Sequence, residues 1–219
     1  MKTKRFLFYL LGAVLVGCGP VMSLHPLYNK EDVVFEKKLL GAWVGDSNTN
    51  KTTWEFKCPN EPQKAYELIF TDGEGQKGSF EVYLVKLDNK LFLDIYTALS
   101  PLEIAEPNSV KWPYNQFFFV PAHTFIKVDS VEPQLRMRLT NDEEMEKLLK
   151  DDPNAVKHEL VEDGIILTAS TKELQAFVLR YADDKRVFTE EIVLSRKKTK
   201  NPDKPDTADP NAIAPNEER

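Results

Sequence analysis

The sequence predicts a mainly β fold, in which an antiparallel meander closes into a barrel or a strongly curved sheet and two short helices precede the last strand. Two patterns favour this class. Apolar and polar residues alternate with a period of two through most of the chain, which is typical of strands with one buried face. The alternating segments are joined by short turns rich in Gly, Asp and Asn, which favour antiparallel neighbours.

The strand pattern becomes regular after a short extended piece at 39–45. Trp54, Phe56 and Cys58 alternate with charged residues, so we expect Cys58 to pack as an inert thiol on an apolar face. Further strands are predicted at 66–70, 80–87, 91–96, 117–120, 126–128, 135–139, 159–161, 165–168 and 191–196. On the strand at 91–96, Asp94 lies opposite the face of Leu93 and Ile95, which predicts that it lies on a polar side of the sheet.

Two helices are predicted from capping residues followed by apolar stripes. Asn141 with Glu144 begins one helix, which ends before Pro153. Ser170 with Glu173 begins the second. The second helix carries Leu174, Phe177, Val178 and Tyr181 at the spacing of a core-facing stripe.

The segment at 97–116 breaks the strand pattern and is long for a connection inside a compact domain. It contains two aromatic rings close together, Trp112 and Tyr114. Two interpretations stay open: the rings form a lid over a cavity, or they plug one end of the fold.

Residues 1–18 have the layout of a secretory signal. Lys2, Lys4 and Arg5 precede an apolar run at 6–16, which is too short to span a bilayer. The run ends in Leu15-Val16-Gly17-Cys18, which resembles the lipobox of bacterial lipoproteins. That resemblance implies that Cys18 becomes the first mature residue and carries a diacylglycerol on its sulfur, with its new amino group usually acylated.

The alternative is an ordinary cleaved signal with Cys18 as a structural cysteine. Because the chain has two cysteines, Cys18 and Cys58, it offers no disulfide framework, which favours the lipid. Two or more acyl chains form a stable membrane anchor. Gly19 and Pro20 follow the cysteine, so no Asp stands next to it. In the lipoproteins that this motif resembles, that absence implies sorting to the outer membrane of the bacterial envelope, with the protein facing the periplasm.

The chain is expected to divide into four parts. They are a signal peptide at 1–17, a lipidated tether at 18–36, a single β-rich domain at 37–198 and a disordered tail at 199–219. The tether has no clear periodicity. The tail has almost nothing to bury.

Charge and motifs exclude several function classes. Removing the signal takes three of the 29 basic residues and leaves 26 against 35 acidic ones, so no nucleic acid partner is expected. His25, His123 and His158 are far apart in the sequence and belong to no motif. No nucleophile, phosphate-binding or zinc signature is present, so we expect no enzyme, no catalytic or metal residues and no cofactor.

Gly41, Trp43 and Arg196 carry a second resemblance. An early Gly-x-Trp, an antiparallel meander and an arginine on the last strand are together similar to the calycin superfamily, the lipocalin-like barrels. In those barrels the arginine lies across the tryptophan ring and closes one end. The predicted helices depart from that pattern because they precede the last strand. The resemblance implies a cavity for a hydrophobic molecule, with no pocket residue assigned.

Two functions follow as hypotheses. The first is a membrane-anchored envelope lipoprotein whose barrel binds an apolar small molecule or lipid. The second is a structural or protein-interaction module of the envelope without a small-molecule ligand.

Overall fold

The computed structural model describes residues 21–45, 52–58, 64–97, 120–162, 164–189 and 191–197 of the 219-residue chain. Its strands are β1 Met22–Ser23, β2 Val33–Val34, β3 Gly41–Gly45, β4 Thr53–Lys57, β5 Ala65–Thr71, β6 Lys77–Leu87, β7 Lys90–Tyr96, β8 His123–Ser130, β9 Leu135–Arg138, β10 His158–Val161, β11 Gly164–Leu167 and β12 Ile192–Arg196. Its helices are α1 Asp142–Asp151 and α2 Thr171–Arg180, with short 3₁₀-helices at Lys30–Asp32 and Lys37–Leu39.

Within the described residues, eight strands close into an antiparallel barrel. From β3 to β9 each strand pairs with the next one in the sequence. The last strand, β12, lies between β9 and β3 and completes the circle. The predicted mainly β class, a meander closing into a lipocalin-like barrel with two short helices before the last strand, is therefore confirmed.

Alternation along the strands divides the apolar side chains between two cores. On β7, Leu93 belongs to the barrel interior and Phe92 to a second core outside the barrel, and both are fully buried. The outer core contains Leu148 of α1 and Phe177 of α2, so the two helices cover this part of the barrel wall. The strands under the helices are consequently buried on both faces.

Residues 21–36 belong to this domain, so the predicted tether at 18–36 is wrong from residue 21 onward. Val21 and Leu27 are 2% and 0% exposed. β1 pairs with β8 and β11, and β2 pairs with β6. From α2, Gln175 Nε2 donates a hydrogen bond of 2.9 Å to the carbonyl oxygen of Leu27. The segment shows no periodicity because it pairs in two-residue strands that are too short to alternate.

The two helix predictions are confirmed. The side chain of Asn141 accepts a hydrogen bond from the backbone N–H of Glu144 and caps α1. The predicted capping box of Ser170 and Glu173 begins α2. None of the described helices is long and apolar enough to cross a membrane.

Cys58 differs from its prediction. It directly follows Lys57, the last residue of β4, and it is half-buried and not part of the buried core. Several other predictions lie outside the described residues: the signal peptide at 1–17 and Cys18, the rings of Trp112 and Tyr114, most of the strand at 117–120, and the tail at 199–219.

Candidate ligand-binding cavity of the barrel

One end of the barrel is covered by the chain that precedes β3. The 3₁₀-helix Lys37–Leu39 places Leu39, which is 0% exposed, in the interior core. Trp43 is also 0% exposed, and its Nε1 donates a hydrogen bond of 2.8 Å to the carbonyl oxygen of Leu39. Next to them, the hydroxyl of Tyr66 bonds to the backbone of Glu36, and burial raises the pKa of Tyr66 to about 12. We call this the closed end.

Arg196 completes the closed end. Its Cζ atom lies 4.2 Å from the centroid of the Trp43 ring. One guanidinium nitrogen donates a hydrogen bond of 2.9 Å to the carbonyl oxygen of Leu40, and the other donates to that of Lys38. Gly41 has a φ of +108°, and a Cβ atom there would lie 3.1 Å from Arg196. Gly41 therefore gives the backbone its turn and leaves room for the guanidinium group.

The opposite end of the barrel contains a cavity of about 450 Å³. This volume is in the range of small-molecule sites, about 300–1,000 Å³. Here β4 begins, β5 ends and β6 begins, as the pairings of Thr53 with Thr71 and of Thr71 with Lys77 show. The lining residues are Trp54, Leu68, Phe70, Phe80, Ile95, Thr124, Phe125, Ile126, Leu139, Thr140 and Asp142. We call this the open end.

Aromatic rings dominate the wall of the cavity. Trp54 and Phe70 are cross-strand partners whose rings meet edge to face with centroids 5.2 Å apart. Phe80 is on the neighbouring strand, and all three side chains are half-buried. Gly78 lies two residues before Phe80 on the same face of β6, and a Cβ atom there would approach the Phe80 ring to 2.8 Å. All three rings therefore present apolar surface to the cavity.

Three polar residues complete the lining: Thr124 on β8, Thr140 after β9, and Asp142 at the first position of α1. Their oxygens can contact a polar group on a ligand whose apolar part packs against the rings. A carboxylate at this site disfavours a bound anion by charge repulsion. The cavity therefore suits an apolar molecule with a neutral or cationic polar group.

Comparison with protein-family models, curated proteins and solved structures finds no match to this chain.

A second polar cluster lies on the outside of the barrel, under residues 21–39, which we call the N-terminal segment of the domain. Asp94 is 0% exposed; one carboxylate oxygen lies 2.6 Å from Nδ1 of His123, and the other accepts a hydrogen bond of 2.7 Å from the backbone N–H of Leu27. The predicted face of Asp94 is right, but it is not a solvated side, because the N-terminal segment covers it. Nearby, burial raises the pKa of Tyr28, and the charge of Asp94 adds to this effect.

This cluster has a structural explanation in the described part of the chain. Asp94 satisfies a buried backbone N–H and orients the ring of His123, which stacks on Tyr96 with centroids 4.7 Å apart. Among the described residues, no hydroxyl or thiol is hydrogen-bonded to His123. The other histidines are separate: His25 is exposed, and His158 bonds to the carbonyl oxygen of Val156. Within the same residues, no group of three or more metal-binding side chains occurs.

The cavity residues were missed by sequence analysis, although a partial signal was present. Trp54, Phe70 and Phe80 each stand on the apolar side of an alternating strand. Their position at the open end follows from strand register, which pairs Trp54 with Phe70 and Leu68 with Phe80. Alternation alone does not distinguish a ring that fills the interior from one that lines a cavity.

Proposed function

We propose that this protein is a lipid-anchored bacterial envelope lipoprotein whose barrel binds an apolar small molecule or lipid at its open end. The cavity of about 450 Å³ carries this proposal, because eight of its eleven lining residues are apolar. Its position opposite the end covered by Trp43 and Arg196 resembles the arrangement of a lipocalin-like binding site. The role proposed is binding, without catalysis, metal or cofactor.

The location is part of the same proposal. The lipobox-like Leu15-Val16-Gly17-Cys18 supports a lipid on Cys18 and an outer-membrane protein that faces the periplasm. Labelled palmitate is expected in the wild-type protein and absent from Cys18→Ser. A Cys18→Ser protein that still carries the label and still fractionates with membranes would contradict the anchor.

The cavity is tested by binding of an apolar fluorescent probe, N-phenyl-1-naphthylamine, to a soluble form of the protein that begins at Gly19 and so lacks the proposed lipid anchor. Thr124→Trp places a large ring in the cavity and is expected to weaken probe binding at least ten-fold. The matched control is Ser79→Trp, because Ser79 is an exposed hydroxyl residue on the outer face of β6. We expect the control to bind like the wild type.

The polar group of the ligand is tested by displacing the probe with decylamine, decanol and decanoate. The amine and the alcohol are expected to compete better than the carboxylate, because Asp142 repels an anion. Asp142→Asn is expected to reduce the difference between amine and carboxylate. Absence of saturable probe binding by the wild type would contradict a ligand-binding barrel and favour the interaction module. Lipid extraction and mass spectrometry of protein purified from membranes then identify the native ligand.

A further inference from the structure

The strands β1, β10 and β11 form a small sheet beside β8, which we call the flap. We infer that the outer face of the flap rests on the surface of the lipid bilayer. This inference depends on the proposed lipid anchor at Cys18 and adds to it the surface and orientation with which the domain meets the membrane.

The first argument is the length of chain between the anchor and the fold. Val21 is 2% exposed and directly precedes β1, so the chain is already packed into the domain at this residue. Two residues, Gly19 and Pro20, separate it from Cys18. Three Cα–Cα steps reach at most about 11 Å even when fully extended. A cysteine held in the lipid layer therefore keeps the start of β1 at the membrane surface.

The second argument is the position of the flap relative to this point. β1 pairs in parallel with β11, with Met22 opposite Ile166. β11 pairs with β10 in a hairpin that joins Val161 to Gly164. Extending this parallel register by one residue places Val21 beside Ile165. The chain therefore enters the fold beside the tip of the β10–β11 hairpin. The hairpin is consequently the part of the sheet nearest to the anchor.

The third argument is the chemistry of the outer face. Alternation places Val21, Ile165 and Leu167 on the face of the flap that packs into the outer core, which we call its inner face; each is at most 2% exposed. The outer face carries Met22 and Ile166, which are half-buried, with Leu24 and Val161, which are each 43% exposed. Apolar side chains grouped on an outer face indicate an interaction surface. Here the surface lies where the anchor holds the membrane.

The charges of the flap indicate how it contacts lipid. Glu159, which is opposite Ile166, and Glu162 in the turn are exposed and acidic, whereas the exposed Lys157 before β10 is already ion-paired with Glu173 on α2. Attraction to anionic lipid therefore does not drive the contact, and burial of apolar side chains in the interfacial layer does. We expect the contact in membranes of zwitterionic lipid and at high salt.

The experiment uses the lipidated protein in phosphatidylethanolamine-rich liposomes that contain a phospholipid with a photoactivatable diazirine near its headgroup. After illumination, mass spectrometry maps the crosslinked peptides. We expect peptides with 22–24 and 158–162 to crosslink at least five-fold more than the β5–β6 turn at 72–76, which lies at the open end. Equal crosslinking of the flap and this turn would overturn the inference.

A spacer variant separates contact from mere closeness. Twelve Gly and Ser residues between Pro20 and Val21 free the domain from the short connection. The native flap is expected to keep its crosslinking preference in this form, and Leu24→Glu with Val161→Glu is expected to lose it. Loss of the preference with the spacer alone shows that the connection imposed it, and the inference is then wrong.

The control is Ile69→Glu, an apolar-to-acidic change at a half-buried position on β5, away from the flap. It should keep the preference, and thermal unfolding followed by circular dichroism verifies that each variant is folded. Failure of the wild-type protein to float with the liposomes would contradict the lipid anchor and the inference together. Flotation with uniform crosslinking would contradict the flap contact alone.

Discussion

Arg196 connects the last strand of the barrel to the first. It lies on the last strand, yet it contacts Trp43 on the first barrel strand and the backbone that precedes that strand. The positive φ of Gly41 allows this approach. The sequence resemblance implied the contact between the arginine and the tryptophan, whereas the hydrogen bonds to backbone carbonyls required the folded chain.

We predict that Arg196→Ala lowers the free energy of unfolding by about 1–2 kcal/mol, from the loss of a cation–π contact and of charged hydrogen bonds. Urea denaturation of a soluble form measures this. The matched control is Arg136→Ala, because the two side chains are similarly exposed, 43% for Arg196 and 44% for Arg136. Arg136 makes a surface ion pair with Glu191, so its removal should cost less than about 1 kcal/mol. Equal losses would contradict a special role for Arg196.

At the scale of elements, the region after α2 is tied to the barrel by charge. Asp183 lies three residues beyond α2 and accepts hydrogen bonds from Lys127 on β8 at 2.9 Å and from Lys90 on β7 at 3.0 Å. Lys127 is a buried lysine, 7% exposed, on the outer side of the barrel wall. The hydrogen bond from Lys127, followed by that from Lys90, lowers the pKa of Asp183 to about 2.

This lowered pKa predicts the pH dependence of the contact. The ionised carboxylate stabilises the fold above about pH 4, and this contribution is lost as the pH falls towards about 2. Asp183→Asn should therefore be less stable than the wild type at pH 7, with a difference that shrinks between these pH values. Urea denaturation at several pH values measures the difference.

The same measurement in a Lys127→Met background provides the control for the Asp183 prediction. Removing the principal partner of Asp183 should reduce both the difference at pH 7 and its pH dependence. If Asp183→Asn has the same pH-dependent effect in both backgrounds, then Lys127 is not the cause.

At the scale of the whole molecule, the N-terminal segment wraps the barrel from the flap to the closed end. It pairs with β8 and β6, bonds to Asp94 through Leu27, and covers the closed end with Leu39. A domain drawn from sequence at 37–198 therefore omits part of its own core. The sequence pattern of residues 21–36 gave a weak indication, because their contacts come from isolated residues in segments too short to show a period.

We predict that a chain beginning at Lys37 fails to fold, whereas a chain beginning at Gly19 folds. The shorter chain lacks β1 and β2, and it loses Val21 and Leu27, which are 2% and 0% exposed in the outer core. Near-ultraviolet circular dichroism and thermal unfolding distinguish the two chains. Cooperative unfolding of the shorter chain at the same midpoint would show that the segment is dispensable.

The sequence by itself determined the antiparallel meander, the capped helices and the strand face on which Asp94 lies. These features depend on local periods and capping residues, which are readable within a few residues of each other. It also carries the lipobox-like motif at Cys18, on which the proposed location depends.

Only the tertiary structure decided the closure of the barrel, the open and closed ends, the cavity and the incorporation of residues 21–36. Each depends on pairing between distant residues, as when β12 returns to β3 or Leu27 covers Asp94. Alternation shows which residues share a face, but the burial of that face depends on what packs against it. For this reason Asp94 is buried, although the local pattern predicted a polar side of the sheet for it. For the same reason Phe80 lines a cavity, which alternation alone does not distinguish from a core position.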